Sequence, residues 1–137
     1  MAATVPIVDA GFLVSLLNRR DGHHKWAAAL AAQYPPPWQS CEAVVSEAFF
    51  LLGRQGQAAL AKLLERGALH CAFAFQKERD AVLALMRKYS DVPMSLADAC
   101  LVRMTEILPA PILLTTDGDF HIYRRSNRRV VPCKMPF

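Results

Sequence analysis

The sequence predicts an α/β fold with a mostly parallel sheet, and three observations lead there. Short apolar, β-branched runs alternate along the chain with longer segments whose apolar residues recur at helical spacing. Pro35 to Pro37, Gly53, Gly56, Gly67, Pro109 and Pro111 fall at the breaks between these segments, where the backbone has to turn. At 137 residues, 53% of them hydrophobic, the chain is long enough to bury a core as one domain.

The first run, Thr4 to Val8, reads as a strand ending at Asp9, with Gly11 to Asn18 as the helix after it. A second helix is expected from about His23 to Gln33. Three successive prolines then forbid further helix, because proline lacks an N–H and its ring clashes with the preceding turn; the chain extends into Trp38 to Cys41. Glu42 to Leu52 returns to helical spacing and stops at Gly53 and Gly56. Gln57 to Arg66 makes the next helix, closed by Gly67, and Ala68 to Phe73 reads as a strand. Gln76 to Tyr89 carries Val82, Leu83 and Met86 at helical intervals, and Ser95 to Leu108 is a helix stopped by Pro109. Ile112 to Thr115 is a strand ending near Asp117, a short helical turn follows, and Val130 to Cys133 is the last strand.

No stretch reaches the ~18 to 20 apolar residues of a membrane span and the N-terminus has no basic leader, so a soluble, unprocessed, cytoplasmic protein is expected. Cys41, Cys71, Cys100 and Cys133 are widely separated, with no CxxC pair and no histidine at zinc-site spacing, which fits buried reduced thiols. P-loop, GxSxG and Rossmann glycine patterns are absent. The net charge of +4 is uneven: residues 1 to 120 hold 11 basic and 12 acidic groups, so Arg124, Arg125, Arg128, Arg129 and Lys134 supply the whole excess. Such a basic segment suits a polyanion, with a merely solvated basic edge as the alternative.

Asp9, Glu47, Asp98 and Asp117 each fall where an apolar segment should not carry charge, with no counter-ion close in sequence. Carboxylates set against apolar surface need a partner, and one divalent cation serves several at once. Asp9 and Asp117 both follow strands, and in parallel α/β sheets ligands gather beyond the carboxyl ends of strands. Three of the four also have a simpler reading: Asp9 and Asp117 as helix caps, and Asp98 as the acid of a capping box begun by Ser95. Glu47 has none. Its helical neighbours Ala43, Val44, Phe50 and Leu51 put it on an apolar face, where an unpartnered acid is costly or becomes protonated.

Four stretches carry a resemblance that spans nearly the whole chain: IVDAGFLVSLLNRRDGHHKWA, CEAVVSEAFFLL, KYSDVPMSLADACLVRM and LLTTDGDFHIYRR. Together they resemble the PIN-domain nucleases, and within them the VapC-type toxin ribonucleases of prokaryotic toxin–antitoxin modules. The resemblance implies a three-layer fold over residues 1–137, with a central five-stranded parallel sheet flanked by helices. It implies a metal-dependent endoribonuclease with Asp9, Glu47, Asp98 and Asp117 as the acidic quartet, Thr115 beside it, Asp119 as a further contributor, and Mg²⁺ or Mn²⁺ as the ion. Implied partners are RNA, an identical subunit and a small cognate antitoxin; Arg124, Arg125, Arg128 and Arg129 are the expected RNA contacts. One position departs from the pattern. Many relatives carry Ser or Thr two residues after the first Asp, and Gly11 stands there in this chain, so a hydroxyl that would orient metal or phosphate is missing from that place.

Hard Mg²⁺ takes carboxylate and water oxygens, and the hydrolysis such a site performs uses water as nucleophile, leaving 5′-phosphate and 3′-hydroxyl ends. That chemistry does not need the RNA 2′-hydroxyl, so the preference for RNA over DNA rests on the resemblance. Two other readings stay open: a PIN nuclease of RNA maturation or decay without an antitoxin, and a non-catalytic interaction domain whose acids are only caps. His23 and His24 read as structural or solvent-facing, and Trp26, Trp38, Phe49, Phe50 and Tyr89 as core or dimer-interface residues.

Overall fold

The computed structural model describes residues 3–137. Strand β1 (Val5–Val8) lies in the middle of the sheet with Ile7 and Val8 wholly buried, as a central parallel strand covered on both faces must be. It runs directly into α1 (Ala10–Leu17), and α2 (His24–Gln33) packs against α1. After the prolines come β2 (Trp38–Gln39), α3 (Glu42–Leu51), α4 (Arg54–Glu65) and β3 (Leu69–His70). Helices α5 (Phe75–Lys88) and α6 (Leu96–Ile107) pack on each other and lead to β4 (Pro111–Leu114). A 3₁₀ turn (Gly118–His121), the hairpin strands β5 (Arg124–Arg125) and β6 (Arg129–Val130), and β7 (Cys133–Lys134) complete the chain.

Five strands form one sheet in the order β3-β2-β1-β4-β7, every pairing parallel, with helices flanking it. The α/β fold expected from the alternation of segments is the fold observed. Chain order reverses beside β1: the chain steps outward through β2 and β3, then returns to pair β4 on the other side. The β1–β4 ladder runs from Val5 opposite Pro111 to Val8 opposite Leu114, so Asp9 and Thr115 leave the same end of the sheet side by side. A crevice opens beyond the strands at such a switch point. The core beneath it is aromatic as well as aliphatic: Phe12 of α1 is fully buried and meets Trp26 and Trp38 edge-on, with ring centroids 6.0 and 5.6 Å away. Truncating Phe12 to alanine would cost about 3–5 kcal/mol.

Several boundaries differ from expectation, the extended segment Trp38 to Cys41 pairing only over Trp38–Gln39 among them, and three have a local reason. Gly56 lies inside α4 instead of ahead of it, because a Cβ there would come within 2.8 Å of the Leu52 side chain at the α3–α4 corner. The strand expected over Ala68 to Phe73 pairs only at Leu69 and His70, since its sole partner, β2, offers two residues. The last expected strand, Val130 to Cys133, is two strands. Pro132 has no N–H and contributes only its carbonyl, which accepts from Leu113 N–H at 2.8 Å. Before it, Arg129–Val130 folds back antiparallel on Arg124–Arg125 around Ser126 and Asn127, both at positive φ (49° and 71°); after it, Cys133 resumes pairing with β4.

Candidate active site

Asp9 sits between β1 and α1 and is 7% exposed. Its Oδ1 accepts from Ala10 N–H at 2.7 Å, and its Oδ2 from the hydroxyl of Thr115, at the end of β4, also at 2.7 Å. Thr115 is fully buried, and its oxygen in turn accepts the N–H of Asp117 at 3.0 Å. Asp117 caps the 3₁₀ turn by accepting Asp119 N–H at 2.9 Å. One hydrogen-bonded chain thus ties the ends of β1 and β4 together.

Asp98, in the first turn of α6, belongs to a complete capping box: the Ser95 hydroxyl oxygen accepts Asp98 N–H at 3.0 Å, and Asp98 Oδ2 accepts Ser95 N–H at 3.3 Å. The same Oδ2 accepts the hydroxyl of Tyr123 at 3.2 Å, while Oδ1 has no hydrogen-bond partner among the described residues. Capping therefore uses one oxygen of this carboxylate and leaves the other. Sequence reasoning missed Tyr123. It is fully buried, edge-on to Tyr89 and Phe120 with centroids 5.2 and 5.3 Å away, and a buried tyrosine hydroxyl needs a polar partner. In the sequence it stands beside two arginines, and no apolar periodicity marks it as buried.

Asp9, Glu47, Asp98 and Asp117 line a single cavity of about 630 Å³, with Gly11, Leu51, Ser95 and Thr116 also in its wall and no lysine, arginine or histidine. Thr115 lies behind Asp9 outside this lining, and so does Asp119. Glu47 needs a correction. It is exposed, because its helical companions Phe50 (85% exposed) and Leu51 (54%) are exposed too; the buried face of α3 is Val44, Val45 and Ala48. The same exposure takes Phe50 out of the core.

The hairpin arginines are not brought to this cavity. Arg124 Nη1 donates to the carbonyls of His121, Ile122 and Tyr123 at 2.7, 3.3 and 3.0 Å, closing the end of the 3₁₀ turn. Arg125 Nη2 donates to the Thr105 carbonyl at 2.6 Å. That carbonyl is seven residues beyond Asp98 on α6, about 10 Å along the helix axis. Arg128 and Arg129 are exposed. His24 Nδ1 lies 2.9 Å from the Ser15 carbonyl and His23 is exposed, as expected of structural or solvent-facing histidines.

Burial pushes the Asp9 carboxyl up to about 6; the bonds from Thr115 and Ala10 oppose this, and the charges of Asp98 and Glu47 add to it. Asp98 is raised as well, first by burial and then by the charge of Asp117, against the bonds from Ser95 and Tyr123. The carboxylates therefore feel one another's charge with no cation in the cavity wall. Their donor atoms are all oxygen, the set preferred by a hard divalent ion. Among the described residues no three His, Cys, Asp or Glu side chains close into a metal cage.

Gly11 is explained by its neighbour. A Cβ added there would sit 2.0 Å from Thr116 Oγ1, so the room a side chain at residue 11 would use holds the Thr116 hydroxyl. A hydroxyl is present in the wall of the acid cavity after all, delivered from the end of β4 and not from α1.

No curated protein matches the chain. Among solved structures it is similar to VapC20 of Mycobacterium tuberculosis, described as a sarcin-ricin loop cleaving toxin. The TM-score is 0.69 at 22% identity, covering 83% of this chain and 91% of that one, a likeness of fold. The PIN domain family model matches residues 7–125, a span that includes all four acids of the cavity, and the chain belongs to the PIN domain family.

Proposed function

We propose that this protein is a divalent-metal-dependent endoribonuclease that hydrolyses phosphodiester bonds of single-stranded or looped RNA, and that it is the toxin of a toxin–antitoxin pair. The observation that carries the reading is a cavity at the switch point of a PIN-family sheet, walled by four carboxylates and no base. Asp9, Glu47, Asp98 and Asp117 would hold Mg²⁺ or Mn²⁺, which when bound supplies the Lewis acidity that activates water and neutralises charge developing on the phosphate. The chain's own groups prepare that site. Thr115 fixes the Asp9 carboxylate from behind, and Tyr123 and Ser95 together hold one oxygen of Asp98, so both acids are oriented before substrate arrives. Leu51 and Leu96 wall the cavity with apolar surface, which strengthens electrostatic interactions inside it. The Thr116 hydroxyl, in the space left by Gly11, takes the part of orienting phosphate or water.

The toxin part of the reading is supported by the fold likeness to VapC20 and by the four motif stretches; its partners would be a second copy of the chain and a small cognate antitoxin, in the cytoplasm. Purified protein freed of any inhibitor should cut RNA in Mg²⁺ or Mn²⁺ and stop in EDTA. Undiminished cutting in chelator would overturn the mechanism. Release of growth arrest by a small protein encoded beside the gene separates a toxin from a nuclease of RNA maturation.

A further inference from the structure

Beside the acid cavity lies a groove of about 710 Å³ between the end of α1 and the corner joining α3 to α4, and the two share Leu51 as a wall. Arg19, Arg20 and Arg54 line it with the amides of Asn18 and Gln55. All three arginines are exposed, and none forms an ion pair among the described residues. The acid next in sequence, Asp21, is occupied within the fold, accepting the Ser15 hydroxyl and His23 N–H, each at 2.9 Å. Three uncommitted guanidinium groups therefore adjoin four carboxylates that would repel an approaching polyanion.

We infer that this groove seats the phosphates of the RNA strand flanking the scissile bond, the role expected of Arg124, Arg125, Arg128 and Arg129. The inference rests on the endoribonuclease reading above. A nuclease with an acidic centre has to attract its substrate somewhere else, and planar guanidinium groups grip phosphate oxygens in pairs. In the hairpin, one nitrogen each of Arg124 and Arg125 is held by backbone carbonyls, and Arg128 and Arg129, though exposed, lie outside the lining of the acid cavity and of its neighbouring groove; in the groove none of the three arginine side chains donates to another group among the described residues. The groove also adjoins the acid cavity across Leu51, which lines both, so one strand can lie across the two. Gln55 and the amide nitrogen of Asn18, whose Oδ1 accepts Arg20 N–H at 3.1 Å, give base edges amide partners, as single-stranded RNA recognition uses.

The test is binding of a fluorescent single-stranded RNA oligonucleotide by the full chain in EDTA, where nothing is cut, across a KCl series. Arg19→Gln/Arg20→Gln/Arg54→Gln should weaken binding and flatten the log–log salt slope by about 0.7 for each phosphate the variant no longer neutralises, about 2 in all. The pair Arg128→Gln/Arg129→Gln and the charge-matched Arg66→Gln/Lys77→Gln/Arg87→Gln should leave the slope near the parent's. Thermal melts of the groove variant should match the parent's, because the three side chains are exposed and unpaired. If the parent binds and cuts RNA while the groove variant keeps the parent's slope, the groove assignment is overturned and the nuclease reading stands. A parent that neither binds nor cuts RNA with Mg²⁺ or Mn²⁺ overturns both. Loss of self-association or of inhibitor capture at an unchanged RNA slope would make the groove a protein-docking surface, which also overturns the inference.

Discussion

Helix α6 carries an acid cluster near each end, and the two are built in opposite ways. Toward its C-terminal end, Arg103 donates to Glu78 at 2.8 Å and to Glu106 at 3.1 Å, and Glu106 also accepts Ser126 N–H at 2.6 Å. Both acids there have a cation supplied by the chain itself. At its N-terminal end, Asp98 shares a cavity with Asp9, Glu47 and Asp117, and the donors that reach Asp9, Asp98 and Asp117 are hydroxyls and backbone N–H groups. A cluster that provides its own cation reads as stability, whereas one whose buried members Asp9 and Asp98 are raised first by burial and then by neighbouring carboxylates, with no cation beside them, reads as a site completed from outside.

The contrast breaks most visibly in activity. Asp9→Ala, Glu47→Ala or Asp98→Ala should lower RNA cleavage on the order of 10³-fold or more, because the carboxylates act as a unit. Glu78→Gln, on α5 and paired with Arg103 of α6, should leave the rate near the parent's. Equal losses at both ends, measured by initial rates on one RNA, would erase the distinction.

In stability the two ends should move in opposite directions. With Asp9 raised to about 6 from its ordinary 3.8, the folded protein keeps a proton that the unfolded chain releases as pH rises through that interval. Stability due to this group is therefore full at low pH, falls across that window and stays low above it. In EDTA at pH 7, Asp9→Asn should exceed the parent on the order of 3 kcal/mol, the gap closing below about pH 4. Arg103→Gln strands two partly buried acids and should instead cost about 2 kcal/mol. Urea melts across pH read both signs.

How much of this was legible in the sequence depends on what fixes each feature. Parallel strands buried on both faces read as apolar runs, so Val5–Val8 and Pro111–Leu114 were visible, and with them the places where Asp9 and Asp117 leave the sheet. Spacing along a helix tells which residues share a face but not which face docks; hence Glu47 looked buried beside Phe50 and Leu51 and is exposed with them. Charge counting found the basic hairpin but had no means of knowing that Arg124 turns back on the carbonyls of His121 to Tyr123 or that Arg125 reaches the Thr105 carbonyl of α6. Tyr123 on Asp98 and Thr116 over Gly11 are contacts between distant segments, set by tertiary packing and invisible to any local pattern.

A smaller effect sharpens the picture of the cavity wall. Gly11→Ser forces a Cβ onto the Thr116 hydroxyl and should cost about 1 to 2 kcal/mol. Gly11→Ser/Thr116→Ala moves the hydroxyl from β4 to α1 and should recover most of both stability and cleavage rate. A double variant no better than Gly11→Ser would mean that the hydroxyl has no such part.

Burial together with neighbouring carboxylate charge leaves Asp9 and Asp98 in want of a cation, and thermal melts of the parent and Asp98→Asn test this most directly. The melts would run in EDTA and across a Mg²⁺ or Mn²⁺ titration at fixed ionic strength. A ligand bound only by the folded state stabilises it by RT ln(1 + [L]/Kd). The parent should therefore gain melting temperature with metal, while the variant should melt no lower than the parent in EDTA and lose most of that gain. A variant that melts lower in EDTA yet gains as much from metal as the parent would make Asp98 a helix cap only and contradict the account.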